Sequence, residues 1–174
     1  HAVDERIMVV DFLSHVKLTK LVLPGMIERK SGHFVQTSSL AGKISTPCRS
    51  AYCAAKSAVI FHFDALRIEL SEHNINVTNI CPGSVQTDVD KNALTGSGKR
   101  LGIKDPNIEN GMQVTRCAQL YLAAVSNKVY ESWLFGSQRE KAAAYMATYL
   151  PTIFKANMVR NAPKLCQDFR HLLS

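Results

Sequence analysis

The chain has 174 residues, of which 46% are hydrophobic, a composition that predicts one globular domain with a single core. Its formal net charge is +7, but the lysines and arginines are scattered and form neither an aromatic-interleaved stripe nor a helix-turn-helix pattern, so we expect no nucleic-acid partner. The five cysteines include no Cys-x-x-Cys pair, and none of the six histidines has a ligand-spaced His or Cys partner, so we expect reduced thiols and no metal site.

Hydrophobic periodicity and turn residues divide the chain into alternating helices and strands. The predicted elements are a helix at 6–28, a strand at 33–38, a helix at 51–72, a strand at 76–81, a helix at 115–126 and a strand at 128–135. Pro82 and Gly83 stop the second strand and turn the backbone, which leaves the Val85 backbone groups and the Thr87 hydroxyl free to face a ligand. Open α/β sheets bind ligands at this carboxyl end of their strands.

A serine, a tyrosine and a lysine stand where the first strand ends and the next helix begins. Tyr52 and Lys56 are four residues apart, so on a helix they project from one face with Cβ atoms about 5–6 Å apart. Ser39 lies thirteen residues before Tyr52. A tyrosine ordinarily titrates near 10, and a nearby ammonium favours the phenolate, so these groups suit proton exchange with a carbonyl or alcohol oxygen. None of them can carry a hydride, so this chemistry requires a nicotinamide cofactor.

The stretches Ser38-Ser39, Tyr52-Cys53-Ala54-Ala55-Lys56 and Pro82-Gly83-Ser84-Val85-Gln86-Thr87 resemble motifs of the short-chain dehydrogenase/reductase family. The likeness is close from about residue 11 to residue 87. It implies that Ser39 orients the substrate oxygen and that Tyr52 is the general acid or base. It also implies that Lys56 holds the cofactor ribose and tunes Tyr52.

The same resemblance implies a cofactor site and shows one departure. The implied cofactor-binding residues are Tyr52, Lys56, Pro82, Gly83, Val85 and Thr87. Val85 would contact the nicotinamide amide, and Thr87 would contact a phosphate. Asp11 stands where the family usually has an asparagine that helps hold a proton-relay water, and an ionised carboxylate accepts from water but donates nothing. Asp11 is therefore a candidate catalytic residue, and a drifted, inactive site is the alternative.

The resemblance implies an α/β fold with a Rossmann-like, doubly wound parallel sheet. The family's Thr-Gly-x-x-x-Gly-x-Gly phosphate loop is absent from this sequence, and the glycine cluster at 96–102 follows no predicted strand. We therefore expect the C-terminal portion of such a domain at 1–135, without its N-terminal nucleotide-binding part. A substrate lid is expected at about 88–110 and a helical tail at 136–174. The implied cofactor is NADP or NAD, with NADP slightly favoured.

Two apolar segments concern possible partners. On the second predicted helix, an apolar stripe is formed by Ala54, Ala58, Phe61, Ala65 and Ile68. The resemblance implies that the two long helices pack against their copies in a homodimer, and an ordinary core stripe is the alternative. The uncharged segment at 142–154 is too short to span a bilayer. It suits either an interfacial helix on a membrane surface or a cover for the substrate pocket. The resemblance points to the endoplasmic reticulum membrane.

The residues and the resemblance together predict an NAD(P)-dependent oxidoreductase. It would reduce ketones or oxidise secondary alcohols of small apolar molecules such as steroids or retinoids. The alternative is a catalytically inactive, truncated binding or dimerisation module derived from the same family. Asp11 and the missing phosphate loop favour this alternative.

Overall fold

The computed structural model describes residues 2–89, 91–93, 98–100, 102 and 105–167. Its elements are α1 (Ala2–Met8), a π-helical turn (Val9–Leu13), α2 (Ser14–Glu28), β1 (Gly32–Thr37), a 3₁₀ turn (Leu40–Gly42), α3 (Ser50–Glu69), a 3₁₀ turn (Ser71–His73), β2 (Ile75–Pro82), α4 (Pro106–Glu109), α5 (Val114–Ser126), β3 (Glu131–Leu134), α6 (Gln138–Tyr149) and α7 (Pro151–Gln167). Every predicted helix and strand is therefore present.

The strands form one parallel sheet in the order β1-β2-β3, with Phe34 of β1 opposite Val77 of β2. Successive residues of a strand point to opposite faces, so β2 contributes to a core on each side of the sheet. On one face, Val77 packs with Phe34 and with Phe63 of α3. On the other face, Ile80 packs with Ala124 of α5. Helices on both faces of a parallel sheet are the doubly wound arrangement that was predicted.

Three element boundaries differ from the prediction by three or four residues. The first helix begins at Ala2 and not at 6. β3 begins at Glu131 and not at 128, because Lys128 has a φ of 51° and the Val129 amide donates to the Ala124 carbonyl oxygen at 3.0 Å, so both residues belong to the end of α5. The second predicted helix ends at Glu69 and not at 72, because the chain tightens there into a 3₁₀ turn.

The apolar stripe predicted on the second helix is not a core face of this chain. Phe61 and Ile68 are 72% and 75% exposed. The buried side chains of α3 instead include Val59, Ile60, Phe63 and Leu66. Leu21 of α2 is also exposed. The core-stripe interpretation is therefore wrong, and both long helices present an open apolar surface.

The described part of the predicted tail contains α6 and α7, and positions 168–174 of that tail lie outside the described residues. Phe154 of α7 is buried, whereas Tyr149, Leu150 and Ile153 around the junction of the two helices are exposed. Among the described residues, no helix combines the length and the apolar character needed to cross a membrane. Within the predicted lid, positions 90, 94–97, 101, 103 and 104 lie outside the described residues, which includes part of the glycine cluster.

His33 of β1 provides a test of the sheet's electrostatics. Its Nε2 is 2.8 Å from Thr78 Oγ1 of β2. Burial lowers the pKa of His33 below its ordinary value of 6.5, and the charge of Lys128 lowers it further. The unfolded chain therefore takes up this proton at a higher pH than the folded chain. We expect the free energy of unfolding to keep this contribution above pH 6.5 and to lose it as the pH falls through the lowered pKa.

Urea unfolding at about pH 7.5 and about pH 5 measures this effect. The variant His33→Gln should show a smaller difference between the two conditions than the wild type. The control His73→Gln, on the 3₁₀ turn before β2, should keep the wild-type difference. An unchanged difference in His33→Gln would contradict the assignment.

Candidate functional site

The end of β1 is joined directly to the backbone of α3. The Ser38 amide donates to the Ile80 carbonyl oxygen at 2.8 Å, which continues the sheet, and Ser38 Oγ donates to the Lys56 carbonyl oxygen at 2.8 Å. Ser57 Oγ donates in the opposite direction, to the Gly42 carbonyl oxygen, at 2.8 Å. A Cβ on Gly42 would lie 2.8 Å from the Lys56 carbonyl oxygen, so this approach requires glycine.

Ser39 caps the 3₁₀ turn that lies against α3. Its Oγ accepts from the Ala41 amide at 3.1 Å and donates to the Pro82 carbonyl oxygen at 3.4 Å. Ser39 and Pro82 are thus brought together at the carboxyl ends of neighbouring parallel strands. The bond to Pro82 is long, so a substrate oxygen at a shorter distance can replace it.

Tyr52 and Lys56 lie on the first two turns of α3 and are adjacent, as their spacing requires. The Lys56 Nζ is 5.6 Å from the centroid of the Tyr52 ring. Only 11% of the Lys56 side chain is exposed, so its charge acts in a largely water-excluded environment where electrostatic interactions are stronger. The convergence of this pair with the Ser39 hydroxyl on one substrate atom stays a prediction.

Asp11 forms an ion pair with Lys56, with 3.2 Å between Oδ1 and Nζ. It lies in the π-helical turn, where the Ser14 amide donates to the Val9 carbonyl oxygen five residues earlier. Such a turn holds one more residue than an α-helical turn, and π turns recur at functional sites. The Asp11 departure from the family pattern therefore has a direct consequence, because the same ammonium serves a carboxylate and the Tyr52 ring.

The turn after β2 is held by backbone bonds to two other segments. The Gly83 amide donates to the Leu134 carbonyl oxygen at the end of β3, at 2.7 Å. The Met112 amide donates to the Ser84 carbonyl oxygen at 2.8 Å, and Val85 forms a parallel bridge with Met112. These contacts fix the turn that was predicted to face the cofactor.

The prediction of a free Thr87 hydroxyl is wrong. Thr87 Oγ1 donates to the Val85 carbonyl oxygen at 3.4 Å, because a threonine in a turn can reach the backbone two residues before it. The bond is long and the side chain is exposed, so a phosphate oxygen can still compete for this hydroxyl.

Arg49 joins the start of α3 to the described part of the predicted lid. Its Nη2 is 2.7 Å from Asp105 Oδ2, and Asp105 also caps α4 by accepting from the Asn107 amide. Only 8% of the Asp105 side chain is exposed, so the ion pair is partly withdrawn from water. The segment at Asp105 is thus tied to the helix that carries Tyr52.

Cys81 lies beside Pro82 but has a packing role. It is buried with Leu40 and Ile60 beneath the site. Burial raises the pKa of the Cys81 thiol to about 12, so the thiol stays neutral near pH 7 and is a poor nucleophile.

Sequence reasoning missed Glu140, on the first turn of α6. Its carboxylate accepts from the Ser84 amide at 2.9 Å and from the Gly136 amide at 2.7 Å. The pattern Ser137-x-x-Glu140 is a capping-box signal, which predicts the start of a helix but not these contacts.

A cavity of about 750 Å³ lies between α5, β3 and the start of α6. Its lining includes Leu120, Trp133 and Lys141 but not Ser39, Tyr52 or Lys56. The lining also includes Leu134 and Gly136, so the cavity borders the contacts that hold the turn after β2.

This chain is similar to members of one protein family. The family model for short chain dehydrogenase matches residues 2–97. Dehydrogenase/reductase SDR family member 7B of Bos taurus is 40% identical over 162 residues, which are 93% of this chain and 50% of that protein. Dehydrogenase/reductase SDR family member 7 of Homo sapiens is 37% identical over 151 residues, which are 86% of this chain and 44% of that protein. The chain thus spans about half the length of the relatives it matches.

Solved structures agree on the fold. A short-chain dehydrogenase from Burkholderia cenocepacia J2315, in complex with NADP, matches with a TM-score of 0.66 and 19% identity, over 88% of this chain and 56% of that chain. A short-chain dehydrogenase from Sphingobium yanoikuyae, in complex with NADPH, matches with a TM-score of 0.64 and 22% identity, over 75% and 48%. These matches show a common Rossmann-like fold. The family model, which matches more than half of the residues, establishes that this chain belongs to the short-chain dehydrogenase family.

Proposed function

We propose that this chain carries the proton-transfer residues of an NAD(P)-dependent oxidoreductase. It reduces ketones or oxidises secondary alcohols of small apolar molecules such as steroids or retinoids. The observation that carries the proposal is the Tyr52–Lys56 pair, whose Nζ-to-centroid distance is 5.6 Å, beside the strand end that holds Ser39. Membership in the family supports the reaction class. The two neighbours with NADP and NADPH support a nicotinamide dinucleotide as cofactor.

The residues at the strand ends suit such a cofactor. The Lys56 ammonium can hold ribose hydroxyls, and the turn at Gly83 lies at the carboxyl end of β2, where open α/β sheets bind ligands. Val85 would contact the nicotinamide amide and Thr87 a phosphate. When bound, the nicotinamide supplies or accepts the hydride.

The protein groups then move and stabilise the proton. In ketone reduction, the Tyr52 phenol donates its proton to the substrate oxygen while the Ser39 hydroxyl hydrogen-bonds to that oxygen. In alcohol oxidation, the phenolate accepts the proton. The Lys56 ammonium stabilises the phenolate because opposite charges at short range favour the ionised form.

The variant Tyr52→Phe removes only the phenolic oxygen. In the complete gene product that contains this chain, turnover should fall at least about 100-fold, since a general acid or base contributes that much or more. The affinity for NADPH should stay nearly unchanged. Steady-state turnover and the fluorescence of bound NADPH measure the two properties.

Tyr130→Phe is the matched control for this variant. Tyr130 is exposed just before β3, at the opposite edge of the sheet, and its loss should leave turnover unchanged. Unchanged turnover in Tyr52→Phe would exclude Tyr52 as the acid or base.

A second candidate function is a non-catalytic module that binds partners or dimerises. The Asp11–Lys56 ion pair favours this second candidate. The Asp11 carboxylate competes for the same ammonium that, in the oxidoreductase, would bind the cofactor ribose and stabilise the Tyr52 phenolate. Dinucleotide binding without turnover in the wild type would support this candidate. Binding with turnover would support the oxidoreductase.

The variant Asp11→Asn keeps the side-chain shape and removes the charge. If the ammonium serves catalysis, loss of a competing ion pair of about 1 kcal/mol should raise turnover about fivefold. The same NADPH assay measures this change. Glu28→Gln at the exposed end of α2 is the control and should have no effect. Lower turnover in Asp11→Asn would show that the carboxylate assists the reaction.

We further propose that the exposed apolar surface of α2 and α3 forms a homodimer. Phe61 and Ile68 are large, apolar and exposed on α3, and Leu21 adds to them from α2. Phe61→Glu should convert a dimer into a monomer in analytical ultracentrifugation, because it places a charge in a desolvated interface. Leu122→Glu, on the exposed face of α5, is the control, and this variant should stay dimeric. A monomeric wild type, or a dimeric Phe61→Glu, would contradict the proposal.

Contact of the tail with a membrane surface stays a prediction, as does location at the endoplasmic reticulum. The exposed Tyr149, Leu150 and Ile153 support the contact, because aromatic and aliphatic side chains favour the boundary between headgroups and acyl chains.

A further inference from the structure

One carboxylate from the tail joins the turns that follow two neighbouring strands. Glu140 Oε1 accepts from the amide of Ser84, after β2, at 2.9 Å. Its Oε2 accepts from the amide of Gly136, after β3, at 2.7 Å. Hydrogen bonds from backbone amides to a carboxylate are about twice as strong as those between neutral groups. Glu140 therefore couples the carboxyl ends of both strands to the first turn of α6.

The start of α6 explains why an acidic residue is stable in this place. The Glu140 amide donates to Ser137 Oγ at 3.2 Å, so Ser137 caps the helix. In the usual capping box, the glutamate returns to the amide of the capping residue. Here it binds two other amides, and the positive end of the helix dipole still favours its charge.

The packing around the carboxylate leaves little freedom for the turn after β2. A Cβ on Gly83 would overlap Glu140 Oε2, and a Cβ on Gly136 would lie 3.1 Å from the same oxygen. The Gly136 Cβ would also lie 2.6 Å from the Ser84 carbonyl oxygen. Backbone therefore lies close to the carboxylate, and Glu140 holds Ser84 through the hydrogen bond to its amide.

We propose that Glu140 is a positioning residue for the dinucleotide. It fixes the backbone of Gly83 and Ser84 so that Val85, the next residue, is presented to the nicotinamide amide. This role rests on the proposed function, since it requires that the turn bind the cofactor. It makes α6 a part of the cofactor site, in addition to any role of the tail as a pocket cover or membrane contact.

The test uses Glu140→Gln in the complete gene product. The glutamine oxygen can accept one of the two bonds, but its NH₂ group then faces the other amide. The loss of one charged hydrogen bond should raise the dissociation constant and the KM for NADPH about tenfold. The kcat and the KM for the carbonyl substrate should stay within about twofold of the wild type. Hydrogen exchange at the Ser84 and Gly136 amides should become faster.

The exposed Glu72→Gln, on the 3₁₀ turn before β2, is the matched control and should change none of these values. If Glu140→Gln does not fold, Glu140→Asp keeps the charge, shortens the reach and should show the same NADPH-specific loss. Faster exchange with unchanged NADPH affinity would overturn the positioning role, as would unchanged exchange. A wild type that binds neither NADPH nor NADH would refute the proposed function itself. Binding to the wild type is therefore measured first, before any variant is made.

Discussion

Two serine hydroxyls join α3 to the segment that follows β1 and set the geometry on which the site depends. Ser38, directly after β1, donates to the Lys56 carbonyl oxygen of α3, and Ser57 of α3 donates to the Gly42 carbonyl oxygen of the 3₁₀ turn, at 2.8 Å in both cases. Ser38 is buried, and an unpaired buried hydroxyl costs about 1–3 kcal/mol, so the bond to the Lys56 carbonyl resists separation of strand and helix. The strand end that carries Ser39 is thereby held against the helix segment that carries Lys56. These hydrogen bonds to backbone carbonyl oxygens therefore fix the relative positions of Ser39 and Lys56 before any ligand binds.

The Lys56 ammonium also links α3 to the helical segment before β1, through the π-helical turn that carries Asp11. The ammonium contacts the Tyr52 ring and the Asp11 carboxylate, and it is largely withdrawn from water. Because screening by salt and solvent is weak for partly buried pairs, the carboxylate acts on the ammonium more strongly than a surface partner would. Asp11 belongs to the π-helical turn between α1 and α2. The geometry of that turn therefore affects how strongly the Lys56 ammonium can interact with Tyr52.

Local patterns predicted most of the fold and part of the site. Helices and strands followed from periodicity, and the adjacency of Tyr52 and Lys56 followed from their four-residue spacing. The π-helical turn could not be predicted, since one extra residue in a turn leaves the composition of the helix unchanged. Periodicity identified the apolar stripe that contains Phe61 but left open whether this chain or a second copy covers it, and its exposure is a finding of the structure. Glu140 was missed because its partners are far away in the sequence and are backbone amides.

Acidic side chains assemble the site in a chain whose net charge is +7. Asp11 binds the Lys56 ammonium, Asp105 binds the Arg49 guanidinium, and Glu140 binds backbone amides. Each carboxylate comes from a different segment: the first helix, the described part of the lid and the tail. Ser39, after β1, and Tyr52 and Lys56, on α3, are the candidate catalytic residues, and the three carboxylates contact the Lys56 ammonium, the start of α3 and the turn after β2. Because each anion has a different kind of partner, loss of one should alter the Lys56 ammonium, the contact of Arg49 with the start of α4 or the turn after β2 without removing the other two contacts.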